Sequence, residues 1–521
     1  MTCQPDSTGK QKTPGKVYLV GAGPGDPGLL TVKGRDLLSK AEVVIYDRLA
    51  SPKLLSMTRP DAQLIYVGKR IGKHAVSQSE INRLLVKHGL EGKMVVRLKG
   101  GDPFIFGRGG EEAEELVKHC IPFEVVPGVS SAIAAAAYSG IPITHRCCAA
   151  SLAIITGHRK FEVDEAAVDW EGIARTPDTL VFLMAMTNLQ DIASELIKHG
   201  RSADTPAAVI EWGTTSRQRT VCATLADITQ KVKEARLGPP SVIVVGEVVA
   251  LKKQLDWFET RPLFGKKVVV TRSRDQASEL THLLEEQGAV CIETPTIELM
   301  YPDDLAPLDQ AISCLEQYDW IIFSSPNAVQ FFFKRLDETG NDARRLGRTK
   351  IAVIGTGTAQ SLKQHRLNPD LVPQTFQAEG LIEAFQQQEM KGKKVLVPRA
   401  VDAREVLRAG LEMLGAIVDV VFVYKNTPVQ VDEYALEELK KGVDALTFTS
   451  SSTVKNFMQA IPADIMKMAL SDAKIVCIGP ITAQTASKHG LSVTKIATQA
   501  TISSLAEAVI EAICNHTGQG Q

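Results

Sequence analysis

Short runs of β-branched and aliphatic residues alternate with amphipathic stretches from Lys16 onward. Residues 17–20, 43–46, 95–98 and 125–126 have the character of buried strands. Between them, residues 31–41, 77–88, 111–119 and 130–138 carry apolar positions at helical spacing, and the second of these opens on a Ser77/Glu80 capping box. A second series follows, with strands predicted at 153–156, 180–184, 207–210 and 242–249. Such alternation predicts α/β layers with largely parallel sheet. Residues 252–267 then interrupt the pattern as a charged, aromatic-containing connector that is not Gly/Ser-rich, so the halves are predicted to be held close rather than flexibly tethered.

A new α/β series begins at Val268, and it repeats itself. FSSPNAV at 323–329 is echoed by FTSSSTV at 448–454, and IGTGTAQ at 354–360 by IGPITAQ at 478–484. VVVTR at 268–272 has a counterpart in VLVPR at 395–399. Three matches in one order at nearly one spacing predict two similar α/β lobes over residues 265–515, facing each other across a cleft.

With 521 residues the chain is too long for one core, and two to four domains are expected. A composition of 44% hydrophobic and 23% charged residues excludes disorder, and a net charge of −1 provides no global field for nucleic acid or anionic lipid. An anionic substrate must therefore be met by local Lys and Arg. The most apolar stretch, 125–143, is broken by Pro127, Gly128, Gly140 and Pro142 and does not read as a membrane span. The N-terminus is polar and lacks the apolar run of a signal peptide. Nine cysteines with no CxxC pair predict reduced thiols and a cytoplasmic protein. His145, His158, Cys147 and Cys148 do not make a metal-ligand set, and Glu111, Glu112, Glu114 and Glu115 complement a helix dipole.

The first strand runs into Gly21-Ala-Gly-Pro-Gly-Asp-Pro-Gly28, a loop able to wrap a ligand. Its G-x-G-x-x-G spacing, with Asp47 ending the next strand, also suits a dinucleotide, so a nicotinamide oxidoreductase stays open at this point. Against it, Pro27 has no N–H to offer a phosphate. The strand at 95–98 ends in a second glycine-rich run, KGGDPFIFGRGGEE (99–112), for which a dinucleotide fold has no use. Together with GAGPGDPGLLT (21–31), YDRL (46–49), VGKR (67–70), VPGVSSA (126–132), YSGIPITHR (138–146), TGH (156–158) and the segment with Gly213-Thr214 and Gln218-Arg219, it resembles the uroporphyrinogen-III C-methyltransferase family across residues 16–258.

That resemblance implies a two-lobed tetrapyrrole methyltransferase fold, with lobes at 16–145 and 146–258. It implies an S-adenosyl-L-methionine site at Pro24, Gly100, Gly101, Asp102, Ile105, Ser130, Ser131, Met184 and Gly213. Asp47 is implied as proton acceptor and Lys69 as proton donor; a solvated strand-end carboxylate and a solvated basic turn are the plainer alternatives. Arg97, Lys99 and Arg108 could meet substrate carboxylates or simply be ion-paired. No metal is implied.

After a connector at 259–266, residues 267–515 resemble uroporphyrinogen-III synthase through TRSR (271–274), SSPNAV (324–329), TFTSSSTV (447–454) and IGPITAQTASKHGL (478–491). Tyr424 then corresponds to a tyrosine that helps a hydroxyl leave, and Ser450 and Thr482 to cleft hydrogen-bonders; a strand aromatic and helix caps are the alternatives. Arg272 and Arg274 are further candidates for carboxylate contact. The implied fold is two similar α/β lobes of the synthase type. The implied activity is bifunctional: hydroxymethylbilane is cyclised to uroporphyrinogen III, which is methylated twice to precorrin-2, on the way to sirohaem or cobalamin. A methyltransferase carrying a non-catalytic synthase-like module is the alternative. The resemblance further implies a homodimer through the methyltransferase half. With about 15 residues before Lys16, the oxidation and metallation activities of longer fused relatives are expected to be absent.

Overall fold

The computed structural model describes residues 14–68, 76–157, 169–271, 274–295, 297–375, 377–401, 405–428 and 431–514. Its first strands are β1 (Val17–Gly21), β2 (Val43–Tyr46), β3 (Gln63–Tyr66), β4 (Val95–Lys99) and β5 (Phe123–Val126). They pair in the order β3-β2-β4-β1-β5, parallel throughout. Alternate side chains serve two cores: Val17, Leu19, Val43 and Val95 pack with Leu85 and Leu116, while Val20, Val44, Val96 and Leu98 pack with Leu38 and Leu54. A sheet covered on both faces explains why these strands read as continuous apolar runs. Thr31 and Ser77 cap the helices Val32–Leu38 and Gln78–Leu90. Only half of the expected capping box forms: Ser77 accepts from the Glu80 N–H, but the Glu80 carboxylate turns to Arg83.

The second series departs from the parallel expectation. β6 (Leu152–Thr156), β7 (Thr179–Leu183), β8 (Pro206–Glu211), β9 (Arg219–Thr224) and β10 (Ser241–Val245) pair as β6-β7-β10-β8-β9. Only β6 and β7 are parallel, while β10 runs antiparallel to β7 and β8, and β8 to β9. A short turn after β8 returns the chain directly as β9, which leaves no room for a crossover helix. The strand expected at 242–249 ends at Val245, because Gly246 takes φ +147° and the chain enters the short helix Glu247–Leu251.

The chain forms two compact units, one of Met1–Lys266 with Glu285–Val290, the other of Lys267–Leu284 with Cys291–Gln521. The stretch read as a connector belongs to the first unit. Phe258 and Leu263 are buried, and Phe258 packs edge-on against Tyr138, Trp257 and Phe264. Cys147, Cys148, Cys222, Cys291, Cys314, Cys477 and Cys514 are reduced thiols as expected, while Cys120 is disulfide-bonded and departs from that expectation.

In the second unit the strands are β11 (Lys267–Val270), β12 (Val290–Glu293), β13 (Ile297–Met300), β14 (Trp320–Phe323), β15 (Lys350–Val353), β16 (Lys394–Ala400), β17 (Ile417–Pro428), β18 (Ala445–Phe448), β19 (Lys474–Cys477) and β20 (Val493–Ile496). They make two sheets, β12-β11-β18-β19-β20 and β13-β17-β16-β14-β15. Two similar lobes are present, but they are not the two sequence repeats. VVVTR on β11 and VLVPR on β16 begin their repeats in different sheets, and each is completed by strands of the other repeat: β18 beside β11, β14 beside β16. The chain changes lobes between β12 and β13, and again after β17. The long β17 makes this possible, pairing with β16 along most of its length and with β13 at its end.

Because Phe258 is a core residue of the first unit rather than part of a tether, Phe258→Ala is expected to cost that unit about 3–5 kcal/mol. Urea denaturation of the full chain should show an early transition for the first unit, with the later one unmoved.

Candidate functional site

Three loops meet at the C-terminal ends of β1, β4 and β5. Gly101 N–H donates to the Gly23 carbonyl at 2.8 Å, and Gly23 N–H to the Gly101 carbonyl at 3.3 Å. Both glycines lie in the left-handed region, at φ +71° and +73°. Beneath this bridge, a Cβ on Gly21 would lie 2.5 Å from Gly128 Cα, and one on Gly128 only 2.3 Å from the Gly101 carbonyl oxygen. Three backbones thus touch where only hydrogen fits. Asp102 fastens the crossing: one carboxylate oxygen accepts from the N–H groups of Phe104 and Ile105 at 2.8 and 3.1 Å, the other from that of Gly128 at 3.0 Å.

The facing wall comes from the second lobe. Leu183, Ile210 and Val242 present apolar side chains, and the turn after β8 brings Trp212, Gly213 and Thr215. Gly213 is required where it stands, since a Cβ there would lie 2.5 Å from that of Ala135. Between the walls lies a cleft with about 950 Å³ of open space. Eight of the nine residues expected to hold S-adenosylmethionine line it: Pro24, Gly100, Gly101, Asp102, Ile105, Ser130, Ser131 and Gly213. The ninth, Met184, follows Leu183 with φ +54° and is 49% exposed; Leu183 faces the cleft instead. Ser130 caps the helix Ser131–Tyr138, whose N-terminus opens into the cleft. The residues fit a bulky zwitterionic nucleoside: a Cβ at Gly101 would point toward that terminus, 3.8 Å from Ser131 N, occupying the cradle. Arg48, Leu49, Trp212 and Arg217 also line the cleft. Sequence reasoning missed them, although Arg48 and Leu49 stand inside the YDRL motif and the other two flank Gly213.

Asp47 sits beside the cleft residue Arg48. One of its oxygens accepts from Leu49 N–H at 3.0 Å and the other meets the Arg97 guanidinium at 3.3 Å. Arg97 and Lys99 are both buried and share one Glu112 oxygen, at 3.2 and 2.9 Å, with Gln78 as a third donor. Burial first, and Arg97 second, push the Lys99 pKa below its ordinary range, with Glu112 opposing. Glu112 is itself fully buried in the first turn of the helix Gly109–Lys118, where it complements the dipole as expected and also partners these cations. Neither cation is free to meet substrate. Arg108, by contrast, is exposed and held bidentate by Glu111 at 2.6 and 2.8 Å. Lys69 and His158 lie outside the described residues. Among the described residues no group of three or more His, Cys, Asp or Glu could hold a metal ion. Nor is any helix there long and apolar enough to cross a membrane.

In the second unit Tyr424 is a buried core residue of one lobe, its ring tilted against Phe331. Its hydroxyl lies 3.3 Å from that of Ser325, which caps the helix Pro326–Glu338. Ser450 and Thr482 belong to the other lobe. Ser450 caps Ser451–Ala460 in a complete capping box with Thr453, and Thr482 is buried in the first turn of Pro480–Lys488. Ser325, Ser450 and Thr482 follow the C-terminal ends of β14, β18 and β19, where α/β sheets present ligands, whereas Tyr424 lies within β17. Arg272 lies outside the described residues.

A family model of tetrapyrrole (corrin/porphyrin) methylases matches residues 16–229, and one of uroporphyrinogen-III synthase HemD matches residues 278–507. The chain is 40% identical over 502 residues to the porphyrin biosynthesis protein HemD of Ruminiclostridium josui, covering 95% of this chain and 98% of that one. This chain belongs to the family of fused uroporphyrinogen-III C-methyltransferases and uroporphyrinogen-III synthases. It is also 46% identical over 332 residues to the uroporphyrinogen-III C-methyltransferase of Bacillus subtilis (strain 168), covering 64% of this chain and 68% of that one. To a siroheme synthase of Pseudomonas fluorescens (strain SBW25) it is 54% identical over 246 residues, 47% of this chain and 53% of the other. The first unit carries the methyltransferase fold of the fused family and the second its synthase-type lobes.

Gly128→Ala is expected to destabilise the first unit by about 1–3 kcal/mol, because the added methyl must displace backbone rather than a side chain. It should also weaken S-adenosylhomocysteine binding, read by calorimetry beside thermal denaturation.

Proposed function

We propose that this chain is a bifunctional cytoplasmic enzyme of tetrapyrrole synthesis. Its second unit closes hydroxymethylbilane to uroporphyrinogen III with loss of water. Its first unit then adds two methyl groups from S-adenosylmethionine, giving precorrin-2. The observation that carries the methyltransferase reading is the convergence of Pro24, Gly100, Gly101, Asp102, Ile105, Ser130, Ser131 and Gly213, drawn from two lobes, on one cleft.

When bound, S-adenosylmethionine supplies an electrophilic methyl carbon for in-line displacement by a pyrrole carbon. The chain's part is to position and to take up a proton. Leu183, Ile210 and Val242 would offer the cofactor an apolar wall, and the backbone at Gly100 and Gly101 a polar one. Asp47 accepts a proton from the methylated macrocycle, its two oxygens oriented by Leu49 N–H and Arg97. Lys69 supplies the returning proton. Arg108, exposed beside the cleft residue Ile105 in sequence, exchanges its Glu111 partner for a substrate carboxylate. In the second unit Tyr424 assists departure of the hydroxyl, with Ser325 setting its phenol, and Ser450 and Thr482 steady carboxylates of the linear substrate. The family resemblance also supports a homodimer through the methyltransferase half.

Incubation with hydroxymethylbilane, followed by isomer-resolved chromatography, should yield the type III product alone, and a dimethylated species once S-adenosylmethionine is added. Type I product alone would leave the second unit a non-catalytic module. Asp47→Ala should lower methyl transfer about 10²–10⁴-fold while retaining S-adenosylhomocysteine binding in calorimetry; unchanged turnover would remove Asp47 from the mechanism.

A further inference from the structure

The turn that forms the far wall of the cleft is strained. Trp212 and Thr214, neither of them glycine, lie at φ +49° and +70° on either side of Gly213. Such conformations cost about 1–3 kcal/mol each and persist only where surrounding groups over-determine them. The group that does so here is Gln218, itself buried. Its carbonyl oxygen accepts from Thr214 N–H at 2.8 Å, closing the turn. Its amide nitrogen donates to Ser139 Oγ at 3.1 Å and to Glu259 Oε1 at 2.8 Å. From the other side, Asp26 N–H of the glycine loop donates to Thr214 Oγ1 at 3.2 Å, and the Asp26 carboxylate accepts from Tyr138 at 2.6 Å.

Glu259 lies in the segment that the sequence presents as a connector. It also accepts from the Thr220 hydroxyl, and its second oxygen takes Lys252 at 2.8 Å, which in turn pairs with Asp256. Trp257 of the same segment donates its indole N–H to the Ala137 carbonyl and packs against Tyr138. The segment therefore touches both lobes behind the cleft. Its Glu259 carboxylate reaches, through a single amide, the strained turn that lines the cleft.

We propose that Glu259 and Gln218 are positioning residues for S-adenosylmethionine: the chain that leaves the methyltransferase fold turns back to hold, through Thr214, the strained turn whose Trp212, Gly213 and Thr215 line the cofactor cleft. Neither side chain lines the cleft, so both act through Thr214. The inference rests on reading that cleft as the S-adenosylmethionine site.

The test is calorimetric binding of S-adenosylhomocysteine to the full chain, together with the KM for S-adenosylmethionine and kcat of methyl transfer. Glu259→Ala and Gln218→Met are each expected to weaken binding and raise KM about tenfold, with kcat at saturating cofactor within about twofold, as expected when a ground-state binding surface rather than the reacting groups is disturbed. Because the two act in one chain of contacts, the double variant should lose no more than the worse single one. Glu259→Gln, which keeps an acceptor for Gln218 and Thr220, should recover most of the affinity. Wild-type binding in Glu259→Ala, additive losses in the double variant, or a fall in kcat with KM unchanged would each overturn the proposal. If the unaltered chain fails to bind S-adenosylhomocysteine, the methyltransferase reading falls first, a result distinct from all of these.

Discussion

The first unit is organised around a contact in which no side chain takes part. Where Gly21, Gly101 and Gly128 meet, the chain ends of three adjacent parallel strands are brought to hydrogen-bonding and van der Waals distance of one another. Everything that faces the cleft on that side inherits its position from this crossing. Asp102 is tied to it through Gly128 N–H, and the helix Ser131–Tyr138 starts just beyond it. The glycines are thus less a soft loop than a fixed vertex, since an added methyl at Gly21 or Gly128 meets backbone, which cannot swing aside.

Close beside this vertex the central strand β4 carries charge into the core. Arg97 and Lys99 alternate with apolar neighbours and both reach Glu112 on the helix Gly109–Lys118. Two buried cations on one carboxylate oxygen leave an excess of positive charge, which Asp47 partly offsets through Arg97. Such clusters are costly to desolvate and contribute more to geometry than to net stability. What this one secures is the direction of the Asp47 carboxylate, held between a guanidinium and a backbone N–H at the rim of the cleft.

Much of this was legible beforehand, for identifiable reasons. Strands buried on both faces announce themselves by unbroken apolar runs, and 43–46 agrees to the residue with β2. Eight of the residues that the family resemblance implied for the cofactor do line one cleft, though the first glycine loop alone would have suited a dinucleotide as well. Strand polarity left no such mark: β8 and β10 are as apolar as any parallel strand, and their antiparallel pairing follows from turn length and tertiary fit. Leu183, which lines the cleft next to the expected Met184, carried no motif that would have singled it out. Glu112 read as one more acid complementing a helix dipole, since its pairing depends on cations on the neighbouring strand β4. Phe258 and Glu259 were hidden by composition, their charged neighbours giving the segment the look of a linker.

The interleaving of the two repeats has a consequence for how the second unit comes into being. β11 is among the first strands of that unit to be made, yet it pairs with β18, and the Lys267 N–H donates to the Asp444 carboxylate across 177 residues of sequence. A growing chain can assemble the sheet built on β16 once β17 has emerged, but the other must wait for its final strands. Neither repeat can be excised or expressed alone without leaving both sheets short. The duplication that is so plain in the sequence therefore survives in the folded protein as a single indivisible object, slow to close and fastened by its last residues.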